Sequence, residues 1–194
     1  MAKAMLTILL LTLILCSSLC AQKTIGDRLH AYYDGVCKER GWKELQVNVD
    51  GLQRKLIWRA PEGGWTKGAI IALHGGGGAC SNWGATIRIG RGKVAFSEQA
   101  LKRGFAVFAL CSTDGLAKDG KGRSIGKRWA CTYIPKIKNI DLPFIDKVVD
   151  SVIPKLRPQQ SSNTIYMTGI SNGGFMTILY ASHHPRKIRA FAPV

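Results

Sequence analysis

Thr164-Ile-Tyr-Met-Thr-Gly169-Ile-Ser171-Asn-Gly173-Gly-Phe175 begins as a run of β-branched and aromatic residues, breaks at Gly169, and resumes after Gly174 with helical spacing. A strand that turns sharply into a helix lifts the residue at the turn out of the sheet. There a helix N-terminus and unspent backbone N–H groups can meet a developing oxyanion, which is what a serine hydroxyl needs to act as a nucleophile. Ser171 is therefore the candidate nucleophile. Gly169 and Gly173 flank it because a Cβ at either place would collide across so tight a turn. Gly122-Arg-Ser124-Ile-Gly126 repeats the Gly-x-Ser-x-Gly pattern, but it follows Ala-Lys-Asp-Gly-Lys, and no strand launches a turn there. Ser124 is read as a loop serine.

The neighbouring segments place that turn in a parallel sheet. Residues 69–73 and 105–110 are wholly apolar strands, 164–168 leads into the turn, and 188–194 forms a last strand. Helical spacing covers 94–102, 142–156 and 174–183. Residues 45–50 and 54–59 alternate about Asp50-Gly51 as a β-hairpin, and 25–42 reads as an irregular or short helical lead-in. Apolar strands alternating with helices imply a mostly parallel sheet covered on both faces, with the hairpin adding an antiparallel part.

His74-Gly75-Gly76-Gly77-Gly78 falls at the end of the first buried strand, on the rim where parallel sheets place ligands. The N–H of Gly76, with Gly75 as a second candidate, would join that of Asn172 to form an oxyanion hole. His74 is read as ordering the loop through its ring N–H. Two phosphate-binding patterns are weaker. Gly115 to Gly122 imitates a Walker loop, but Gly122 stands where a Ser or Thr hydroxyl must hold magnesium. Gly90-Arg-Gly92-Lys-Val-Ala95, with Asp114 beyond it, has dinucleotide-type spacing but leaves the glycine run and the elbow unexplained. No cofactor or metal is called for. Trp83 and Trp129 are open to two readings, as walls of a substrate cleft or as packing anchors. Pro135, Pro143 and Pro154 read as helix punctuation.

The 194 residues, 46% hydrophobic, suffice for one core. Lys3, the apolar stretch from Met5 to Leu15, and the small residues before Gln22 describe a signal peptide cleaved after Ala21. That apolar stretch is shorter than the roughly 20 residues needed to span a bilayer. The expected organisation is a leader over 1–21 and one domain over 22–194, exported to the periplasm or outside the cell and not membrane-spanning after cleavage. Cys37, Cys80, Cys111 and Cys131 would remain, an even number suited to an oxidising compartment. Three pairings are open. Cys111–Cys131 would close a Gly/Lys-rich loop, whereas Cys111 could instead be a buried thiol. The net charge of +16, or +15 without Lys3, favours weak association with anionic surfaces. The basic residues are dispersed and no nucleic-acid motif is present, so no specific nucleic-acid partner is expected.

The order of strand, His-Gly-Gly-Gly-Gly, helix, apolar strand, long loop, helix and Thr-Gly-Ile-Ser-Asn-Gly-Gly-Phe-Met resembles the secreted α/β-hydrolase esterases of the polyhydroxybutyrate depolymerase and feruloyl esterase group. The resemblance runs from about Gly41 to Val194. It implies an α/β-hydrolase fold and hydrolysis of extracellular carboxylic esters, free or polymeric, through an acyl-enzyme on Ser171. The elbow is also similar to that of serine peptidases of the prolyl oligopeptidase type, but the residues before Ala69 hold no room for their large N-terminal domain. In such enzymes an acid and then a histidine follow the nucleophile. Residues 172–194 contain no Asp or Glu, and His183 and His184 lie about 12 residues along one helix, roughly 18 Å from Ser171 at ~1.5 Å per residue. The chain thus reads as the N-terminal part of such a hydrolase. A hydrolase-like domain that only binds a partner is the alternative.

Overall fold

A computed structural model describes residues 25–85, 91–113, 115–116, 121, 123, 126–132 and 136–194. The proposed leader, Ser124, Pro135, Asp114 and Gly90 lie outside the described residues. Two compact units divide the chain, residues 1–32 and residues 33–194, and all six strands belong to the second.

Helix α1 (Ile25–Glu39) precedes β1 (Lys43–Val49) and β2 (Leu52–Arg59). These strands pair antiparallel around Asp50 and Gly51. Both turn residues have positive φ, 52° and 82°, as a two-residue turn matched to the strand twist requires. Next come β3 (Gly68–Leu73), α2 (Arg91–Lys102), β4 (Phe105–Leu110), α3 (Leu142–Lys147), α4 (Ile153–Leu156), β5 (Ile165–Gly169), α5 (Asn172–His183) and β6 (Ala190–Pro193). The sheet order is β1-β2-β4-β3-β5-β6, and β4, β3, β5 and β6 run parallel. Every residue of β3 is buried, as its unbroken apolar sequence requires of a central strand.

Alternate strand residues feed two apolar layers. Leu56, Ile71, Leu73, Phe108, Leu110 and Met167 pack with Phe144, Ile145, Met176 and Tyr180 from α3 and α5. On the opposite face Ile57, Ile70, Ala72, Val107 and Ala109 pack with Cys37, Ala100 and Leu101 from α1 and α2. Helices therefore cover both faces, and the rim at the C-terminal ends of β3 and β5 is left for the loops that follow them. Leu73 pairs with Gly169, so those two loops leave adjacent strands at the same level.

The structure modifies two sequence readings. The 142–156 helix is interrupted by a π turn over Val148–Val152, where the N–H of Ile153 reaches back to the Val148 carbonyl. Pro154 follows at once. It has no N–H to donate, and its ring would crowd the carbonyl four residues back in a regular helix, so a wider turn accommodates it. Pro143, by contrast, occupies the first turn of α3. Cys111 is bonded to Cys80, not Cys131, and Cys37 and Cys131 are free thiols. β4 ends at Leu110 and the short 3₁₀ turn Cys80–Trp83 follows the glycine loop, and this brings those two cysteines together at neighbouring strand ends. Arg91 and Gly92 open α2, and the other residues of the dinucleotide-type pattern, Gly90 and Asp114, lie outside the described residues.

Candidate active site

Ser171 is exposed and stands between β5 and α5 at φ 52°, ψ −117°, a conformation side chains rarely adopt. Surrounding contacts enforce it. The Ser171 N–H donates to the Val194 carbonyl at 2.6 Å, and the Gly173 N–H donates to the Ile170 carbonyl at 2.9 Å. A Cβ at Gly169 would stand 2.2 Å from the Gly173 oxygen, and one at Gly173 would stand 2.4 Å from the His74 oxygen. Both positions need glycine because the elbow crosses directly over the start of the glycine loop.

That loop lies against the elbow. A Cβ on Gly75 would be 3.2 Å from the Ile170 oxygen and 3.6 Å from Ser171 Cβ. The N–H groups of Gly77 and Gly78 are spent on the carbonyls of Lys127 and Gly75, at 2.8 and 3.0 Å. Among the described residues, the N–H groups of Gly75, Gly76 and Asn172 donate to no protein acceptor. Asn172 is the first residue of α5, where helix N–H groups have no partner within the helix and the dipole favours negative charge.

His74 is 1% exposed, and both ring nitrogens are engaged. Ser112 donates its N–H to Nε2 at 3.0 Å, and Nδ1, which must therefore carry the proton, donates to the Gly75 carbonyl at 2.7 Å. His74 shapes the glycine loop and holds no nitrogen for proton exchange with a substrate. His183 and His184 end α5, and His184 Nε2 lies 3.6 Å from Asp146 Oδ2, at the opposite end of the helix from Ser171. His74, which does stand at the elbow, has both ring nitrogens engaged, and no group of three potential metal ligands occurs among the described residues.

Trp83 and Trp129 are 2% and 0% exposed, so the structure makes both of them anchors and neither a cleft wall. Trp83 belongs to the α2-side apolar layer. Trp129 binds both halves of the site. Its indole N–H donates to the His74 carbonyl at 2.9 Å, its backbone N–H donates to Asn172 Oδ1 at 2.6 Å, and its carbonyl accepts from Asn172 Nδ2 at 3.2 Å. Asn172 Nδ2 also reaches Cys131 Sγ at 3.0 Å. The strap around Trp129 is fixed in turn by a buried ion pair. Asp141 Oδ2 accepts the Ala130 N–H at 2.7 Å, and Oδ1 accepts from Arg54 Nη2 at 2.6 Å. Arg54 also donates to the Ile140 carbonyl at 2.7 Å and lies over the Phe144 ring at 4.2 Å. Burial pulls the Arg54 guanidinium pKa below its ordinary value, and the Asp141 charge opposes that pull.

Sequence reasoning missed the side chain of Asn172, the ion pair and Arg128. The Arg128 stem covers Gly76: a Cβ there would stand 3.3 Å from Arg128 Nε and 3.5 Å from its Cγ. One available signal was Arg54, which in β2 falls in phase with Leu56 and Trp58 on the core face.

No protein-family model matches the sequence, and no curated protein matches it. Solved structures do. The chain is similar to 2,6-dihydroxy-pseudo-oxynicotine hydrolase, with 21% identity and TM-score 0.58 over 84% of this chain and 40% of that one. It is also similar to acetyl xylan esterase from Aspergillus awamori, with 18% identity and TM-score 0.54 over 77% of this chain and 50% of that one. A third is a carboxylesterase from Bacillus subtilis, with 17% identity and TM-score 0.52 over 86% of this chain and 48% of that one. The fold is that of the α/β-hydrolases, and the chain spans 40 to 50% of the length of these three structures.

Proposed function

We propose that the chain supplies the nucleophile and oxyanion hole of a secreted serine ester hydrolase of the polyhydroxybutyrate depolymerase or feruloyl esterase type. The observation that carries this reading is the exposed Ser171 at φ 52°, ψ −117°, with the uncommitted N–H groups of Gly76 and Asn172 beside it. In this mechanism Ser171 Oγ attacks the ester carbonyl and gives its proton to a general base. The carbonyl oxygen takes the negative charge and is held by the Gly76 and Asn172 N–H groups, with Gly75 as a further donor. Collapse expels the alcohol and leaves an acyl-serine, which water then hydrolyses. No cofactor enters this scheme. The base and its carboxylate have no occupant among the described residues at the elbow, and the proposal assigns both to residues outside those described.

Export after cleavage near Ala21 fits the Cys80–Cys111 disulfide, a bond that persists in oxidising compartments. No helix among the described residues is long and apolar enough to cross a membrane. The high positive charge would hold the enzyme near anionic surfaces, and its substrate would be an ester, free or within a polymer.

A binding domain without catalysis is the second reading, favoured by the commitment of the His74 ring nitrogens to the Gly75 carbonyl and the Ser112 N–H. Labelling of the native gene product by a fluorophosphonate separates the two. Uptake on the wild type, abolished by Ser171→Ala and retained by Ser124→Ala, is the expected result. No uptake, together with no hydrolysis of a short-chain nitrophenyl ester, would leave the binding reading in place.

A further inference from the structure

We infer that Arg128 is a substrate-binding residue that makes this site prefer esters carrying a carboxylate on the acyl chain. The inference rests on the serine ester hydrolase reading for its chemistry, but its geometry stands apart from catalysis. Arg128 is held from both sides. The carbonyl of Lys127 accepts the Gly77 N–H at 2.8 Å, the Arg128 N–H donates to the Gly126 carbonyl at 2.8 Å, and Trp129 is fixed to His74 and Asn172. The Arg128 backbone therefore cannot move independently of the oxyanion loop.

From that position its side chain runs across Gly76, with Cγ, Cδ and Nε 3.5, 3.7 and 3.3 Å from where a Cβ would be, while Gly75 abuts Ser171. Two consecutive glycines thus separate the nucleophile from a guanidinium. An ester carbonyl held at the Gly76 N–H would sit at the residue that the Arg128 side chain crosses, and the inference puts its acyl chain on that side. Arg128 is exposed, and among the described residues no carboxylate pairs with it. Its five donors are therefore available to a ligand in a fork that matches a carboxylate.

The test uses the native gene product and two nearly isosteric esters, the mono-p-nitrophenyl ester of adipic acid and neutral p-nitrophenyl hexanoate. Arg128→Gln is expected to lower kcat/KM about tenfold for the adipate ester, chiefly through KM, and to leave the hexanoate value within about twofold. Arg128→Lys should recover part of the loss. Raising ionic strength from 0.02 to 0.5 M, over which the screening length falls to a few ångströms, should reduce the wild-type preference and not that of Arg128→Gln. An equal loss on both esters would overturn the inference by assigning Arg128 to the oxyanion or to the loop, and so would no loss on either. Binding keeps the test independent of turnover. In a Ser171→Ala background, Arg128→Gln should weaken monomethyl adipate about tenfold by amide-shift titration and leave methyl hexanoate unchanged. If fluorophosphonate labelling fails while this binding difference holds, catalysis is refuted and the carboxylate site stands. If labelling succeeds and the difference is absent, the carboxylate site is refuted alone.

Discussion

Replacing Asp141 by Ala tests how the site is held together. Arg54 and Asp141 are 1% and 0% exposed and 2.6 Å apart, and Asp141 also accepts the Ala130 N–H. Removing the carboxylate strands a buried guanidinium, which costs roughly 3–5 kcal/mol. It also leaves the Ala130 amide without an acceptor, at about 1 kcal/mol or more. The expected loss is therefore about 4–6 kcal/mol, most of a typical domain stability of about 5–15 kcal/mol. Urea unfolding followed by far-UV circular dichroism measures it, with the slope checked for two-state behaviour. Arg54→Met/Asp141→Leu removes both charges and orphans the Ala130 amide and the Ile140 and Cys111 carbonyls, so it should lose about 2–3 kcal/mol, less than the single variant. A loss below about 1 kcal/mol for Asp141→Ala would refute the reasoning. A double variant as unstable as the single would also refute it, because the cost would then lie in packing and not in an unpaired charge.

Gly173→Ala pushes a Cβ to 2.4 Å from one backbone oxygen and 2.6 Å from another, neither able to swing aside, so thermal melting should show a loss of at least about 3 kcal/mol. Gly35→Ala, an exposed helical position with nothing within 4 Å, should instead stabilise by about 0.5–1 kcal/mol in the same assay. Reducing Cys80–Cys111, whose partners are 31 residues apart, should cost about 3–4 kcal/mol by loop entropy, and a Cys80→Ser/Cys111→Ser variant should show no further response to reductant. Burial raises the Cys37 thiol to about 12, with the Asp34 charge adding to the rise. Its folded pKa thus exceeds the unfolded one, so its contribution is complete below about pH 8.5 and is lost as pH climbs toward 12, at about 1.4 kcal/mol per pH unit. Denaturation midpoints measured across that window should fall less steeply in Cys37→Ser.

Much of the fold was legible because its signals are local. Asp50-Gly51 fixes the hairpin turn, the unbroken apolar runs of β3 and β4 can only be central strands, and the sharp change of period at Gly169 places Ser171 between strand and helix. The π turn escaped because periodicity over residues 142–156 is continuous, and the inserted residue shows only in which carbonyl Ile153 reaches. The cysteine pairing escaped for a different reason. Loop composition suggested a bridge to Cys131, but sheet register brings Cys111, just past the end of β4, to the turn containing Cys80.

The bonds that hold the elbow and glycine loop together are long-range, which is why motif reading could not reach them. Trp129 meets His74 across 55 positions and Asn172 across 43, and Arg54 meets Asp141 across 87. No short pattern spans such separations. The signal that was present is a conflict of levels: an arginine in phase with leucine and tryptophan on the core face of a strand must find a buried anion, or its desolvation is not offset. Asp141 is buried as well, at the start of a helix whose next residues are apolar, and makes the same demand with opposite sign. The Arg54 conflict is legible in the sequence, whereas the burial of Asp141 that answers it is seen only in the structure. Their pairing places the 129–130 strap against the sheet, and that strap joins the Gly76 loop to Asn172.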